Sequence, residues 1–319
     1  MSSDRTAYGN AGGDVAKLSR AERVGNVAVF TSGQDRIAAG VHPERPSIGT
    51  LWDWTGDAAV LKQAEGWLRE RGANIARGPM EICSWFDHRA PVGPFDDAPF
   101  AFEPTAPAEP WIAAGFRVAA HSATALVDHD VMIAAASERA GALATAGWSV
   151  QPLPLDLGEG RASEVQFREA VATLHAVASL AVADSWGYAP IAAEALQEWL
   201  APRRTTMDPR LVLIARAPDG SAAGVLFAVP DFCDPRRGWF VVTTLAVLPK
   251  YRQAGVGAWL VAAAHKTARK AGYKAGVHWL AEQVTAPGAL AEPASGRGWN
   301  VERHGGRLIR RYAVFEKPI

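Results

Sequence analysis

The chain of 319 residues, 49% of them hydrophobic, is longer than a typical single domain and favours two domains with a sizeable core. Its 33 basic residues balance 33 acidic ones, which removes the electrostatic attraction that drives binding to nucleic acids or anionic membranes. Two cysteines are too few for a disulfide framework, and because no apolar stretch has the length of a membrane span or a secretion signal, we expect a cytoplasmic protein.

The first half of the chain alternates short β-type runs with helical patterns. Residues 1–22 are polar and rich in glycine, which is typical of a loose terminus. Asp57 can cap the first helix and Gly72 can end it. The predicted elements are strands at 24–30 and 36–41, a helix at 57–71, a strand at 74–77, a proline-rich loop at 87–110, strands within 116–127, and an alanine-rich helix at 131–146 that connects the halves.

The second half contains a longer series of elements, in which a strand is followed by two helices and three further strands. The helices are interrupted at 186–190, where glycine and proline occur together. The predicted elements are a strand at 150–155, helices at 162–183 and 191–200, strands at 211–216, 223–229 and 239–247, a helix at 255–271, a strand at 275–280, a weak helix at 288–295, and strands around 301 and at 308–315.

One loop in this half carries a recognisable chemical pattern. Residues 247–257 read VLPKYRQAGVG and lie between a β-branched strand and the helix at 255–271. Arg252, Gly255 and Gly257 form an R-x-x-G-x-G sequence, and glycine allows the backbone amides to face a ligand without a side chain in the way. The amides and the positive end of the helix dipole together attract a diphosphate, and the arginine adds a charge.

Two common phosphate loops do not fit this sequence. A dinucleotide fingerprint needs a small residue where Leu260 stands, and no G-K-[ST] sequence of a nucleoside-triphosphate loop occurs in the chain. The loop instead resembles the coenzyme A loop of the GNAT superfamily of N-acyltransferases, V-x-P-x-x-R-x-x-G-x-G. The five matching positions are Val247, Pro249, Arg252, Gly255 and Gly257.

The resemblance extends from the loop to the order of the elements. Residues 148–319 follow the complete GNAT order, whereas the strand, helix and strand at 50–77 resemble a second copy that lacks the loop. The resemblance implies an α/β (α+β) protein with two GNAT-like domains, each a mixed, mostly antiparallel sheet flanked by helices. The predicted organisation is a loose N-terminus at 1–22, a degenerate domain at 23–130, a connecting helix at 131–147, and a complete domain with the coenzyme site at 148–319.

The resemblance also implies which residues bind the coenzyme. Acyl-coenzyme A would be the co-substrate, held partly by strand-like pairing with the backbone before the loop. No metal ion is expected. The predicted cofactor-binding residues are Leu245, Ala246, Val247, Arg252, Gln253, Ala254, Gly255, Val256, Gly257 and Ala258.

The usual acid and base of the family are missing. Many members have a glutamate on the strand before the loop, where this chain has 241–244, VVTT, and a tyrosine where it has Ala294. An amine acceptor arrives as an ammonium and needs a base. The candidate catalytic residues are His278, Glu282, His175 and Asp231. Structural roles for them stay open, since a histidine often only satisfies its two nitrogens and a glutamate can cap a helix.

The resulting hypothesis is an enzyme that moves an acetyl or longer acyl group from acyl-coenzyme A to a primary amine of a small molecule, with an amino sugar of an antibiotic as one acceptor. The proline-rich loop would cover the acceptor site and shape its pocket with the aromatic residues Phe95, Phe100, Phe102 and Trp111. One alternative is a non-catalytic acyl-coenzyme A sensor or scaffold. Another is a Fem-type transferase that uses charged tRNA, which the neutral charge disfavours. Nucleic-acid and membrane partners are not expected, and a monomer fits the tandem halves.

Overall fold

The computed structural model describes residues 21–93, 99–104, 106–155, 157–284 and 306–319. The strands in this part of the chain are β1 (Asn26–Ser32), β2 (Asp35–Val41), β3 (Ile48–Trp52), β4 (Ile75–Gly78), β5 (Ala90–Pro91), β6 (Arg117–Val127), β7 (Ser149–Pro152), β8 (Val212–Arg216), β9 (Ala222–Pro230), β10 (Trp239–Val247), β11 (Ala275–Val284) and β12 (Arg307–Pro318). The α-helices are α1 (Ala58–Glu70), α2 (Glu109–Ala113), α3 (His129–Thr145), α4 (Arg161–Val182), α5 (Ala193–Leu200) and α6 (Val256–Lys270).

These strands form one mixed sheet that runs through both halves of the chain. Its order is β1-β2-β3-β4-β12-β6-β11-β10-β9-β8-β7, with β5 paired to β12. Within the described ranges, β3 with β4 and β10 with β11 are the parallel pairs, and the other pairs are antiparallel. The predicted fold class, a mixed and mostly antiparallel sheet flanked by helices, is confirmed, and the sheets of the two halves are continuous.

The halves are joined because each contributes a strand to the other. Strand β6 follows β4 in the chain but pairs with β11, and the final strand β12 pairs with β4. Strands β6 and β12 also pair with each other along most of their length, from Arg307↔Leu126 to Glu316↔Arg117. This exchange covers what would otherwise be an open strand edge in each half, and it makes the two halves one structural unit.

Helices cover the two faces of the sheet unequally. On one face, α1 packs on the first half through Val60 and Leu68, and α6 packs on the second half through Leu260. The other face is covered by α4 and α5 together with residues 79–104 of the first half, and these segments share one buried cluster. The segment after β4 therefore lies over the same sheet face as the helices of the second half.

Most predicted elements are confirmed within one to three residues. The Oδ1 atom of Asp57 caps α1 by accepting the N–H groups of Ala59 and Val60, each at 2.9 Å. The prediction that 87–110 lacks regular structure is wrong at its ends, because β5 pairs with β12 and α2 starts at Glu109, where Pro110 suits the first helical turn. The predicted helix at 288–295 and the strand around 301 lie outside the described residues.

No helix in the described part of the chain combines the length and apolar content needed to cross a lipid bilayer.

Candidate functional site

The central feature of the site is a gap between two parallel strands. Strands β10 and β11 pair only from Trp239↔Ala275 to Val242↔His278. Beyond this point β10 stays with β9 as far as Val247, whereas β11 stays with β6, so the two strands part. A register shift at Thr243 accompanies the parting, and the Thr243 hydroxyl donates to the carbonyl of Phe227 at 3.0 Å. Within the described residues, the edge of β10 that faces the gap has no partner strand.

The start of α6 lies at the end of β10 and forms an uncapped helix terminus. Gly255 is the N-cap with φ of 95°, a left-handed conformation that strongly favours glycine. Among the described residues no side chain caps the first turn of α6, and the turn contains no acidic residue. Gln253 in the preceding turn also has a positive φ, 69°. The first-turn amides and the helix dipole are therefore available to an anion such as a diphosphate.

Gly257, in the first turn of α6, lies close to Leu245, near the end of β10. A Cβ atom at Gly257 would lie 3.5 Å from Cγ2 of Val247 and 3.9 Å from Cδ2 of Leu245. Leu245 is 44% exposed although it is a large apolar residue near the end of a central strand. An exposed apolar side chain thus lies beside the start of α6. A long ligand with a diphosphate at one end and an amide-containing arm fits this arrangement.

Arg252 fixes the loop as well as contributing charge. Its Nη2 group donates to the carbonyl of Ala181 in α4, and its Nε group donates to the carbonyl of Val247 at 3.4 Å. A guanidinium carries further N–H donors that can reach an anion. Of the other predicted coenzyme-binding residues, Ala246 and Val256 are buried, and Gln253, Ala254 and Ala258 are exposed.

His278, at the last paired position before the gap, belongs to a buried chain of three histidines. Its Nε2 atom lies 2.8 Å from Nε2 of His265 on α6. The Nδ1 atom of His265 lies 3.0 Å from Nδ1 of His129, at the start of α3. The Nε2 atom of His129 lies 2.9 Å from the carbonyl oxygen of Tyr273, and its ring stacks on Phe240.

The carbonyl of Tyr273 determines which ring nitrogen of each of the three histidines carries the proton. A carbonyl only accepts, so His129 carries its proton on Nε2 and its Nδ1 atom accepts from His265. His265 then accepts on Nε2 from His278, which leaves the Nδ1 atom of His278 unprotonated. Burial, followed by the neighbouring histidines, lowers the pKa of His265 to about 2, and burial lowers the pKa of His278 to about 4. When all three rings are neutral, each hydrogen bond in the row of histidines therefore has one donor and one acceptor.

The other candidate catalytic residues lie apart from His278. His175 on α4 bonds through Nε2 to the carbonyl of Ile191 at 2.8 Å, and its ring stacks on Trp85. Glu282 lies in β11, and its side chain is outside the described residues. No hydrogen bond or ion pair in the described part of the chain joins any two of His278, His175 and Asp231.

Asp231, at the end of β9, connects the halves. Its buried Oδ1 atom accepts the N–H groups of Ala101 at 2.9 Å and Cys233 at 3.3 Å. Burial raises the pKa of Asp231. Because Ala101 belongs to the segment contributed by the first half, this carboxylate holds that segment against the second half.

The sequence does not predict a buried polar cluster that lies on the sheet face covered by α4, α5 and residues 79–104. Glu103 accepts hydrogen bonds from Arg310 and from the hydroxyl of Tyr312, the latter at 3.3 Å. That hydroxyl lies 3.5 Å from Oγ1 of Thr124, which pairs in register with Trp279, the residue after the last β10–β11 pair. Burial raises the pKa of Glu103, and Arg310 opposes this effect. More than 200 residues separate Glu103 from its partners, so no local pattern signals the cluster.

In the described ranges, no three His, Cys, Asp or Glu side chains are grouped as metal ligands would be.

The sequence and the fold were compared with those of known proteins. The sequence model of the acetyltransferase (GNAT) family matches residues 174–291, and the predicted resemblance to this family is confirmed. No curated protein has a significant match to the sequence.

Two solved structures share the fold over nearly the whole chain. A GCN5-related glucosamine N-acetyltransferase region of a fungal multi-domain GH3 β-N-acetylglucosaminidase is 14% identical with a TM-score of 0.52, and the match covers 95% of this chain and 34% of that one. A conserved protein of unknown function and probable N-acyltransferase from Enterococcus faecalis V583 is 9% identical with a TM-score of 0.52, and the match covers 98% and 66%. A tandem GNAT protein of the clavulanic acid pathway is 13% identical with a TM-score of 0.47, covering 95% and 87%.

Proposed function

We propose that this chain is an acyltransferase that moves an acyl group from acyl-coenzyme A to a primary amine of a small molecule. The observation that carries the proposal is the parting of β10 and β11 beside an uncapped, glycine-started helix. Within the described part of the chain, the strand backbone at the gap and the amides at the helix start have no partners. Together these features suit a cofactor that has amides along one arm and a diphosphate at its end.

Different residues around the gap would bind different parts of acyl-coenzyme A. The backbone of Leu245 and Val247 would pair with the amides of the pantetheine arm, and the Leu245 side chain would pack on its methylene groups. Residues 252–258 would hold the diphosphate through backbone amides and Arg252. Gly257 would keep the space between the helix and β10 open, because a Cβ atom there would approach both Val247 and Leu245.

The acceptor must lose a proton before it can react. Bound acyl-coenzyme A supplies a thioester carbon that an amine can attack, and an ammonium has no lone pair for that attack. His278 lies where the strands part, but its ring bonds to His265 on α6, on the sheet face away from the acceptor, and burial lowers its pKa to about 4, which makes it a weak base. Glu282, His175 and Asp231 remain the other candidates, and Glu103 joins them because burial raises its pKa.

The acceptor would bind under the segment that the first half places over the sheet. Phe100 is fully buried there, and Phe102 lies 5.8 Å from Trp199 and 5.4 Å from Phe232 between ring centroids. Phe95 lies outside the described residues. These aromatic rings suit a bulky acceptor, and amino sugars belong in the test panel because the fungal neighbour is described as a glucosamine N-acetyltransferase region.

The direct test measures binding and turnover separately. Calorimetry with acetyl-, octanoyl- and palmitoyl-coenzyme A measures affinity, and a thiol-reactive dye measures release of free coenzyme over a panel of amines that includes amino sugars. Mass spectrometry identifies the acylated product. Turnover with any amine supports the enzyme. Binding without turnover over the whole panel supports a sensor or scaffold, and no binding to any coenzyme species contradicts the proposal.

A further inference from the structure

Helix α3 lies against α6 and runs in the opposite direction. In its first turn, Asp130 forms an ion pair with Arg269 in the last turn of α6. Further along α3, Arg139 and Leu143 lie beside Gly255, the N-cap of α6. The second part of α3 therefore lies next to the proposed diphosphate site at the start of α6.

The side chain of Arg139 lies directly beside the backbone of Gly255. A Cβ atom at Gly255 would be 3.3 Å from Cδ of Arg139 and 3.5 Å from its Cβ. The methylene stem of the arginine thus fills the space that a side chain at Gly255 would need. Because the guanidinium is bonded to this Cδ atom, its N–H groups lie close to the start of α6.

Arg139 has all its hydrogen-bond donors available. It is exposed, and its guanidinium makes no hydrogen bond or ion pair with the described residues. A guanidinium is always protonated in proteins and carries a fork of N–H donors. Its neighbour Glu138 does not face it, because adjacent positions of a helix point in different directions. An anion bound at the start of α6 would therefore meet an accessible positive charge on α3.

The two cations of the loop itself, Lys250 and Arg252, already have contacts. Arg252 donates to two backbone carbonyls, which holds it against α4 and the end of β10. The ammonium of Lys250 lies 4.5 Å from the ring centroid of Tyr251. Compared with these two side chains, Arg139 is the one whose donors all remain available to a ligand at the start of α6.

Coenzyme A carries two separate anionic groups, a diphosphate and the 3′-phosphate of its ribose. The diphosphate suits the backbone amides of the first turn of α6. The 3′-phosphate is a monoester with a charge of about −1.5 to −2 near neutral pH, whereas a helix start supplies only about half an elementary charge. A guanidinium can bind a phosphate through two parallel N–H···O bonds. The guanidinium on α3 therefore matches the second anionic group.

We infer that Arg139 binds the 3′-phosphate of coenzyme A, so that α3 contributes a residue to the coenzyme site. The inference rests on the proposed function, because it adds a residue to the same site. It also goes beyond that function, because Arg139 makes the site selective for coenzyme A over the same molecule without its 3′-phosphate.

Calorimetry with two coenzymes tests the inference. The protein is titrated with coenzyme A and with 3′-dephospho-coenzyme A, which differ only in that phosphate. Arg139→Met removes the charge and keeps an unbranched side chain that can still pack on Gly255. We expect this variant to bind coenzyme A about tenfold more weakly than wild type does, and to bind the dephospho form within about twofold of wild type.

Two further variants control for charge and for folding. Arg139→Lys keeps the charge without the planar fork, so its affinity for coenzyme A should lie between those of wild type and Arg139→Met. Arg168→Met removes the same charge at an exposed position of α4, about 20 Å along that helix from Ala181, which contacts the loop. It should leave both affinities unchanged. Because Arg139 and Arg168 are exposed, all three variants should unfold in urea at midpoints near that of wild type.

The outcomes separate this inference from the proposed function. A loss in Arg139→Met that is confined to coenzyme A supports the contact with the 3′-phosphate. Three results overturn the inference alone and leave the proposed function standing: equal affinity of wild type for the two coenzymes, unchanged binding of coenzyme A by Arg139→Met, and an equal loss for both coenzymes in that variant. Failure of wild type to bind either coenzyme contradicts both.

Discussion

The Nε2 atoms of His265 and His278 lie 2.8 Å apart inside the protein, with one acting as donor and the other as acceptor. The pair couples α6, whose first turn is the proposed diphosphate site, to the strand that borders the gap. Protonating both rings would place two donors against each other in a buried site. The pair therefore requires neutral imidazoles.

Stability should fall as the pH drops below about 6.5. The folded pKa values of His265 and His278, about 2 and about 4, lie below the reference value of 6.5, so the unfolded chain binds these protons first. Each histidine then removes up to about 1.4 kcal/mol of stability per pH unit below 6.5, and neither contributes a slope above it. Urea unfolding at pH 7.5, 6.5, 5.5 and 4.5, which covers about one unit above 6.5 and about two units below it, measures this slope.

The double variant His265→Leu/His278→Leu controls for other titrating groups. Buried carboxylates such as Glu103 have raised pKa values, and because the folded state binds their protons more tightly, their effect in acid has the opposite sign. The difference between wild type and variant isolates the histidines. Equal slopes for the two proteins would contradict the assignment.

Alanine at Gly257 should separate coenzyme affinity from stability. The new Cβ atom would make only ordinary contacts with Val247 and Leu245, so the fold tolerates it, and alanine is favoured over glycine in a helix by up to about 1 kcal/mol. The same atom would occupy space beside the gap, so we expect affinity for coenzyme A to fall by about tenfold. Gly141 on α3 has no atom of the described residues near its Cβ position, and Gly141→Ala should leave affinity unchanged. Unchanged affinity in both variants would argue against a ligand at Gly257.

Truncation of Leu245 should weaken coenzyme binding without harming the fold. Leu245 is 44% exposed, so Leu245→Ala removes little buried area from the free protein. If the pantetheine arm packs on this side chain, the loss of a partly buried contact should cost about three- to tenfold in affinity by calorimetry. Leu180, which is 65% exposed on α4, provides the matched control Leu180→Ala. A similar response of both variants would show that Leu245 is not part of the site.

Substitutions of Asp231 distinguish a structural role from a catalytic one. Asp231→Ala leaves the N–H groups of Ala101 and Cys233 without their acceptor, which should cost about 1–3 kcal/mol in urea unfolding. Asp231→Asn keeps an oxygen acceptor and should cost less. If Asp231 also takes the acceptor's proton, the Asn variant should lose turnover by about 100-fold or more. An Ala variant as stable as wild type would contradict the proposed contact between the halves.

The ion pair of Glu103 and Arg310 should matter more than a surface pair. Both side chains are nearly fully buried, so Glu103→Gln leaves a buried guanidinium without this carboxylate, and we expect a loss of about 3 kcal/mol. Asp130→Asn breaks the exposed pair with Arg269 and should cost less than about 1 kcal/mol. Thermal and urea unfolding compare the two variants. Equal losses would show that Glu103 is not held in a buried pair.

Local features of the fold followed from the sequence because their causes are local. Asp57 caps α1 within its own turn, and Gly255 starts α6 because the left-handed conformation there favours glycine. The strand, loop and helix around Arg252 were predictable for the same reason. The coenzyme loop lies where the pattern placed it, although its assignment to a ligand remains a prediction.

Contacts between distant segments were not predictable. The pairing of Glu103 with Arg310 and of Ala101 with Asp231 depends on how a segment of the first half is laid over the second. The alternation of His278 with Glu282 indicated a shared face, but it could not show that His278 bonds to His265 on α6.

The sequence by itself determined the order of elements and the glycine loop, because hydrophobic period and turn chemistry act over a few residues, and the class of fold followed from the resemblance that these features carry. Only the tertiary structure decided that β6 and β12 exchange between the halves, that Val242 is the point at which β10 and β11 part, and that three histidines meet beneath the sheet. These features depend on strand register and on burial between segments far apart in the chain, which local pattern does not encode.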